Sequence, residues 1–164
     1  DYKQLHDLFS LLKLKKIKLN KEQLKICNQN VVIHIRGGDF LSIDNLNICK
    51  LAYYKNSIEY FHSKGLKTFM VICEDQSYGK ELIKELKNCF SDLQISILKS
   101  DSIKNDFNLI RSSKFAILSN STFSWWASFL SNSKKEFLAP SNFSIKEKRI
   151  ILPSETIILS LIHI

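Results

Sequence analysis

The sequence contains few of the residues that break or link regular structure. Four glycines and two prolines in 164 residues leave no room for a flexible linker or a low-complexity tract, and we find no internal repeat. No apolar run is long enough to span a bilayer. Because 45% of the residues are apolar, the chain can instead bury the core of one globular domain. It opens with D-Y-K-Q, so we expect a fragment or excised domain without a signal peptide.

Motifs of several common enzyme and metal-binding classes are also absent. The four cysteines show no C-x-x-C spacing; they are Cys27, Cys49, Cys73 and Cys89. This pattern predicts free, mostly buried thiols in a reducing cytosol and disfavours a zinc site. We find no Ser-His-Asp or H-E-x-x-H arrangement, no Walker loop and no G-x-G-x-x-G fingerprint. Their absence argues against a P-loop NTPase and a standard dinucleotide enzyme.

The charge balance is strongly basic, with a net charge of +8 and a pI near 9.3. Much of the charge comes from lysines between residues 13 and 25. Such a run attracts nucleic acid, anionic lipid or an anionic substrate, or it is a solvated face. No aromatic residues are interleaved with it, so we expect no nucleic-acid partner. The run does allow loose contact with the inner face of a bacterial membrane.

Hydrophobic periodicity predicts strands that alternate with helices. The predicted strands lie at residues 31–35, 68–73, 95–98, 115–118 and 136–139. The predicted helices lie at residues 50–63, 78–89, 102–112 and 123–131, with an amphipathic helix near 5–12. The alternation favours an α/β fold with a parallel sheet. Cys89 should face inward, and the apolar tail at 157–164 fits either a helix or a strand.

The first informative segment, V-V-I-H-I-R-G-G-D at residues 31–39, ends a predicted buried strand in polar residues. Arg36 can bind a phosphate or carboxylate through two charge-assisted hydrogen bonds. The glycines let the backbone approach a ligand closely, and Asp39 could orient Arg36. A structural Arg–Asp pair in a tight turn is the alternative. His34 could contact a ligand or be a satisfied core histidine.

The second informative segment, S-N-S-T-F-S-W-W at residues 119–126, joins an apolar strand to a helix. Ser121 or Thr122 can act as the helix N-cap. The first helical N–H groups and the helix dipole would then favour an anion; a plain N-cap without a ligand is the alternative. Because parallel strands end at one edge of a sheet, the two segments should build one site that suits a phosphate.

Three acidic residues lie near the same predicted edge. Glu74 and Asp75 end the second strand, where they could bind a metal, bind a ligand hydroxyl or solvate a loop. Asp106 lies in the short helix before the fourth strand. Its carboxylate could accept hydrogen bonds from a nucleobase edge, although alone it fits a surface position.

In these segments the chain resembles the α-1,2-fucosyltransferases, a family of inverting glycosyltransferases (family 11). That family carries H-x-R-R-x-D after a strand and, further on, N-S-S-F-S-W-W. This chain has H-I-R-G-G-D at 34–39 and N-S-T-F-S-W-W at 120–126. Three further residues that agree are Tyr53, Tyr54 and Pro140. The resemblance covers about residues 25–143 and implies a Rossmann-like domain, one half of a GT-B type enzyme.

The resemblance implies transfer of fucose from GDP-fucose to a sugar hydroxyl, with inversion and an α-1,2 linkage, in surface polysaccharide or oligosaccharide synthesis. Residues 25–164 would be the donor-binding domain of a cytoplasmic bacterial enzyme, preceded by an N-terminal helix and basic connecting segment at 1–24. The acceptor, an oligosaccharide or glycolipid, would bind largely to an N-terminal domain that this chain lacks. No cofactor and no metal are expected besides the GDP-sugar.

The resemblance also implies roles for individual residues. Arg36 would bind the diphosphate and stabilise the charge that develops on it during the reaction. Thr122 and the Phe123 amide would bind the same phosphates. Asp106 would bind the guanine edge, and His34 would line the nucleotide. The other donor-binding residues that we expect are Asp39, Asp75 and Ser121.

Two positions leave alternatives open. Gly37 stands where the family has its second Arg. Either backbone N–H groups replace that side chain, or the donor is another GDP-sugar, or the chain is a non-catalytic GDP-sugar binding module. We assign the general base to Asp44, which could equally cap a helix or turn. Besides the enzyme and the binding module, a third hypothesis is a basic scaffold that binds nucleic acid or lipid, and it is favoured by charge alone.

Overall fold

The structure is a computed structural model that describes residues 19–38, 48–99, 102–131, 136–141 and 155–158. The strands are β1 (Val31–Ile35), β2 (Thr68–Cys73), β3 (Gln94–Ile97), β4 (Phe115–Ile117), β5 (Glu136–Pro140) and β6 (Glu155–Ile158). The helices are α1 (Lys21–Gln29), α2 (Leu51–Ser63), α3 (Gln76–Cys89), α4 (Ile103–Ser112) and α5 (Thr122–Phe129). The predicted alternation of strands and helices is confirmed over these ranges.

In the part of the chain that the structure describes, the strands form one parallel sheet in the order β3-β2-β1-β4-β5-β6. The order reverses between β1 and β4, so the connections that follow these two strands leave in opposite directions. Ligands of open α/β sheets bind in the crevice outside the carboxyl ends of the strands at such a reversal. The residues that follow β1 and β4 therefore lie where a ligand of such a sheet would bind.

The side chains of β1 alternate between the two faces of the sheet, as the period of a strand requires. Val31, Ile33 and Ile35 pack into a core with residues of α2 and α3. Val32 packs into a second core with residues of α1, α4 and α5. His34 follows the same alternation as Val32, so it faces the side of the sheet on which α4 and α5 lie.

Helix α1 was not predicted, and the boundary that we expected between residues 24 and 25 falls inside it. Its apolar signal is short, since only Ile26 and Cys27 are buried. A capping box fixes its start: the Asn20 side chain accepts from the Gln23 N–H, and the Gln23 side chain accepts from the Asn20 N–H. Part of the basic segment is therefore a helix that packs on the sheet.

Glycine at position 65 ends α2 as predicted, because its φ of 84° lies in the left-handed region that side chains disfavour. The Gly65 N–H donates to His62 O (2.8 Å) and the Leu66 N–H to Phe61 O (3.1 Å). These two bonds form a Schellman motif, which satisfies carbonyls that the helix end leaves without partners.

Three further predictions concern Cys89, the apolar tail and the N-terminal helix. Cys89 is exposed, and the prediction that it faces inward is wrong, because α3 ends at this residue and the chain turns towards β3. Strand β6 extends the sheet beside β5 and includes residues 157 and 158 of the apolar tail; the rest of the tail lies outside the described residues. The helix predicted near residues 5–12 lies outside the described residues. None of the described helices has the length and hydrophobicity needed to cross a bilayer.

Candidate functional site

A cavity of about 500 Å³ opens at the carboxyl edge of the sheet. Its walls come from the ends of β1 and β2 and from the first turns of α3, α4 and α5. The lining residues are His34, Arg36, Ile72, Cys73, Glu74, Gln76, Ser102, Ile103, Asp106, Ser121 and Phe123. The structure thus brings five of the predicted site residues, from both motifs and from α4, to one cavity.

His34 lines this cavity and connects the two motifs through a hydrogen bond to Ser119. Its Nδ1 lies 2.6 Å from Ser119 Oγ, and its ring centroid lies 5.6 Å from that of Phe123. Burial, with a smaller contribution from the positive charge of Arg36, lowers the pKa of His34 to about 3. The imidazole is therefore neutral at physiological pH and can present one donor and one acceptor.

Arg36 follows β1 and is held over the cavity by an acidic residue. Its Nη1 donates to Glu74 Oε2 at 2.5 Å. The side chain of Arg36 is 25% exposed and that of Glu74 is 76% exposed. Because Glu74 is largely solvated, the pair gives up little when the guanidinium turns to an anionic ligand. The ion pair with Arg36 was not among the roles predicted for Glu74 from the sequence.

The first turn of α5 meets the cavity without a side-chain cap. Ser121 occupies the N-cap position, but its hydroxyl makes no capping hydrogen bond. Ser121 and Phe123 line the cavity, whereas Thr122 is exposed and lies outside the lining. The Ser124 hydroxyl donates to Ser121 O (3.2 Å). Of the two N-cap positions predicted, Ser121 and Thr122, the structure has Ser121.

Asp75 has a structural role in this structure. Its Oδ1 accepts from the N–H groups of Ser77 and Tyr78, each at 3.1 Å, and so caps α3. Its Oδ2 accepts from the Gly38 N–H at 3.2 Å. Hydrogen bonds from the Tyr78 backbone, and then from the side chain and backbone of Ser77, lower the pKa of this carboxyl against the opposing effect of burial. Asp75 thus ties the loop after β1 to α3, and it does not line the cavity; its role in donor binding stays a prediction.

Asp106 lies in the first turn of α4 and lines the cavity. Helix α4 begins beside it with Ser102, whose hydroxyl accepts from the Asn105 N–H at 3.2 Å. Asp106 therefore presents a carboxylate at the cavity wall, in a first turn where the helix dipole favours negative charge.

Gly37 has no room for a side chain. A Cβ built on it would lie 2.5 Å from Tyr78 Cδ1, closer than van der Waals contact permits. The Tyr78 ring therefore occupies the space beside the backbone where the family pattern has a second Arg. The sequence analysis did not single out Tyr78.

Five further residues line the cavity without having been predicted as site residues: Ile72, Cys73, Gln76, Ser102 and Ile103. Their shared signal is position, since each lies near the end of a strand or in the first turn of the next helix. Asp39 and Asp44 lie outside the described residues. In the described part of the chain, no cluster of His, Cys, Asp and Glu has metal-binding geometry; the expectation of a metal-free site stays a prediction.

This fold and this edge site define a Rossmann-like domain of the GT-B glycosyltransferase type. The chain belongs to glycosyl transferase family 11, whose pattern matches residues 5–155. The resemblance seen in the two motifs is thereby confirmed at the level of the family.

One relative is similar to the chain in sequence, and two solved structures are similar to it in fold. The chain is 31% identical over 111 residues to an α-1,2-colitosyltransferase of Escherichia coli, covering 65% of this chain and 38% of that protein. Two solved structures of E. coli heptosyltransferase WaaC share the fold. The complex with ADP gives a TM-score of 0.50 at 12% identity, over 71% of this chain and 32% of WaaC. The complex with ADP-2-deoxy-2-fluoro heptose gives 0.54 at 10% identity, over 81% and 37%. The chain thus spans well under half of each relative.

Proposed function

We propose that this chain is the donor-binding domain of an enzyme that transfers fucose from GDP-fucose to a sugar hydroxyl, with an α-1,2 linkage and inversion. The product would be a surface polysaccharide or oligosaccharide. One observation carries the proposal: Arg36 and the first turn of α5, which has no side-chain cap, meet at one cavity where the strand order reverses.

The diphosphate would bind between these two groups. A guanidinium offers a planar fork that matches phosphate oxygens, and the first N–H groups of a helix add donors and a favourable dipole. Glu74 holds Arg36 over the cavity. Donor binding would replace the Glu74 carboxylate by a phosphate, with Ser121 and the Phe123 amide beside it. Thr122 would contribute through its backbone, since its side chain lies outside the cavity.

The nucleoside would lie along the α4 side of the cavity. A volume of about 500 Å³ is in the usual range for ligand pockets. Asp106 would accept from the guanine N–H groups, which form the donor edge of that base. His34, neutral and hydrogen-bonded to Ser119, would line the nucleotide without adding a second positive charge beside Arg36.

The proposed chemistry follows from where charge develops. As the bond between the sugar and GDP breaks, negative charge grows on the β-phosphate while the sugar becomes oxocarbenium-like. Arg36 and the α5 N-terminus would stabilise that charge most strongly in the transition state, which is the condition for catalysis. The acceptor hydroxyl must lose a proton, and we assign this step to Asp44. Replacement of Asp44 by Asn should then reduce turnover and spare GDP affinity; loss of GDP affinity instead would contradict the assignment.

The acceptor and the setting of the enzyme are part of the proposal. The relatives named above are two to three times longer than the matched segment, which supports an acceptor-side domain outside this chain. We place the enzyme in a bacterial cytoplasm, with the basic segment allowing contact with the inner membrane face.

Two alternatives concern the donor and the chemistry. The name of the colitosyltransferase supports an α-1,2 linkage and also raises a donor sugar other than fucose. Gly37, packed against Tyr78, removes the family's second cation and favours a non-catalytic GDP-sugar binding module as the second candidate. Turnover by a protein that also carries the acceptor side separates the enzyme from the binding module.

Calorimetric titration tests the donor assignment. GDP-fucose should bind the chain, GDP-mannose should show the contribution of the sugar, and UDP-galactose should bind weakly because Asp106 finds no guanine edge. The Asp106→Ala variant should lose the preference for GDP-fucose over UDP-galactose. A folded chain that binds all three ligands equally, or none of them, would contradict the proposal.

A further inference from the structure

An exposed apolar side chain stands at the wall of the cavity. Ile103 is 72% exposed, and the other large apolar side chain of comparable exposure in the described residues is Leu24, at 46%. Leu24 lies on α1, away from the cavity, whereas Ile103 lines it. A ligand that covers this apolar surface would remove it from water, and the hydrophobic free energy of burial would then favour binding.

Ile103 and Asp106 are three residues apart on α4, so they lie on the same side of the helix one turn from each other. Both line the cavity. A planar ring that met the Asp106 carboxylate with its edge would therefore extend past the first turn of the helix, where Ile103 begins α4. The two side chains together offer an acceptor for the edge and an apolar surface for the face.

We propose that Ile103 is a nucleobase-binding residue, whose side chain packs against the face of the purine that Asp106 binds by its edge. This inference rests on the proposed function and deepens it by assigning the apolar contact of the base. Nucleobases have apolar faces and polar edges, so a site that recognises one needs both kinds of contact. Neither the family motifs nor the predicted roles include Ile103.

The test is calorimetric titration of the whole chain with GDP. Ile103→Ala removes most of the apolar side chain and should weaken GDP binding about tenfold, since burial of an Ile side chain has a favourable free energy of this order. Ile103→Phe keeps an apolar surface that can stack on the base and should bind GDP at least as tightly as the wild type. Leu24→Ala is the matched control and should leave GDP affinity within about twofold.

A second readout distinguishes base contact from a general effect on the site. Inorganic pyrophosphate should displace GDP through the phosphate subsite, and its own affinity should be the same for wild type and Ile103→Ala. Because Ile103 is exposed, thermal unfolding of Ile103→Ala should match that of the wild type.

The outcomes separate this inference from the proposed function. If the wild type binds GDP and Ile103→Ala binds it within twofold, the inference is wrong and the proposed function stands. A parallel loss of pyrophosphate affinity in Ile103→Ala would also overturn the inference. If the folded wild type fails to bind GDP, the proposed function fails and takes the inference with it.

Discussion

Helices α3 and α5 begin at the same edge of the sheet, and their first turns differ. At α3 the Asp75 carboxylate accepts from the N–H groups of Ser77 and Tyr78. At α5 the Ser121 hydroxyl makes no capping hydrogen bond, and the residue lines the cavity. The protein closes one helix N-terminus with its own anion and leaves the other to face a cavity beside Arg36.

The absence of a side-chain cap does not by itself make a site. Helix α2 also begins without one, at Lys50, and Lys50 does not line the cavity. Helix α5 differs in having a cation, a cavity and the switch in strand order beside its first turn. The comparison between α3 and α5 therefore separates a helix start that contributes to stability from one that we propose contributes to ligand binding.

A side chain at position 37 should produce the largest loss of stability. Gly37→Arg would place a Cβ 2.5 Å from the Tyr78 ring, and such overpacking costs about 1–3 kcal/mol of unfolding free energy. Denaturant unfolding measures it. The double variant Gly37→Arg, Tyr78→Ala should recover part of the loss relative to the sum of the single variants. Additive losses would mean that the Tyr78 ring does not define this space.

The buried His34, on the side of the sheet where α5 lies, should make the stability of the protein depend on pH. On the α5 side, burial lowers the pKa of His34 to about 3 from 6.5. The unfolded state therefore takes up a proton first as pH falls below about 6.5, and stability falls by about 1.4 kcal/mol per pH unit towards pH 3. Between pH 7.5 and 5 the loss should be about 2 kcal/mol.

His34→Gln should lack this part of the pH dependence, as measured by denaturant unfolding at each pH. An unchanged slope in His34→Gln would show that His34 is accessible to protons in the folded protein.

Ser121→Asp would convert the first turn of α5 into one like that of α3. The new carboxylate should cap the helix and repel the diphosphate, so GDP affinity should fall about tenfold or more while the unfolding free energy stays equal or rises by about 0.5–1 kcal/mol. Calorimetry and denaturant unfolding measure the two effects. Ser121→Asn adds a neutral cap as the control for charge. Tighter GDP binding by Ser121→Asp would contradict an anion site here.

Asp75→Ala should lower the unfolding free energy and leave GDP affinity nearly unchanged, the reverse of Ser121→Asp. Its effects should be the smallest of the series. Loss of the cap should cost about 1 kcal/mol of unfolding free energy, and GDP affinity should change by less than about threefold because Asp75 lies outside the cavity. Ser77→Ala removes the hydrogen bond from the Ser77 hydroxyl to Asp75 Oδ1 (3.2 Å) and keeps the backbone N–H bonds, so it should lose less stability than Asp75→Ala. A loss of GDP affinity comparable with that of a cavity residue would return Asp75 to the donor site.

Much of the fold could be predicted because the apolar pattern of these strands and helices is strong. Strand β1, with every residue buried, is easy to recognise. Helix α1 was not predicted because it buries only two residues, which is too few to give a clear apolar pattern. At the site, the first motif identified Arg36 and His34, whereas Asp106 was identified by its place in the short helix before β4 and by the family resemblance.

The contacts between distant side chains could not be predicted in the same way. The pairing of Arg36 with Glu74 and the packing of Tyr78 on Gly37 depend on the distance between segments some 40 residues apart, which neither residue type nor periodicity encodes. Asp75 shows the same limit, because a carboxylate at a strand end is equally suited to a ligand and to a helix cap. Its role as a cap became evident from its hydrogen bonds with Gly38, Ser77 and Tyr78.

The central claim is that the cavity between Arg36 and the α5 N-terminus binds the diphosphate of a GDP-sugar. Calorimetric titration of the wild type and of Arg36→Ala with GDP tests it most directly, with Lys67→Ala, at the opposite end of the sheet, as a control for net charge. We predict that the wild type and the control bind GDP alike and that Arg36→Ala binds about 100-fold more weakly. Equal affinity of Arg36→Ala and the wild type would contradict the claim.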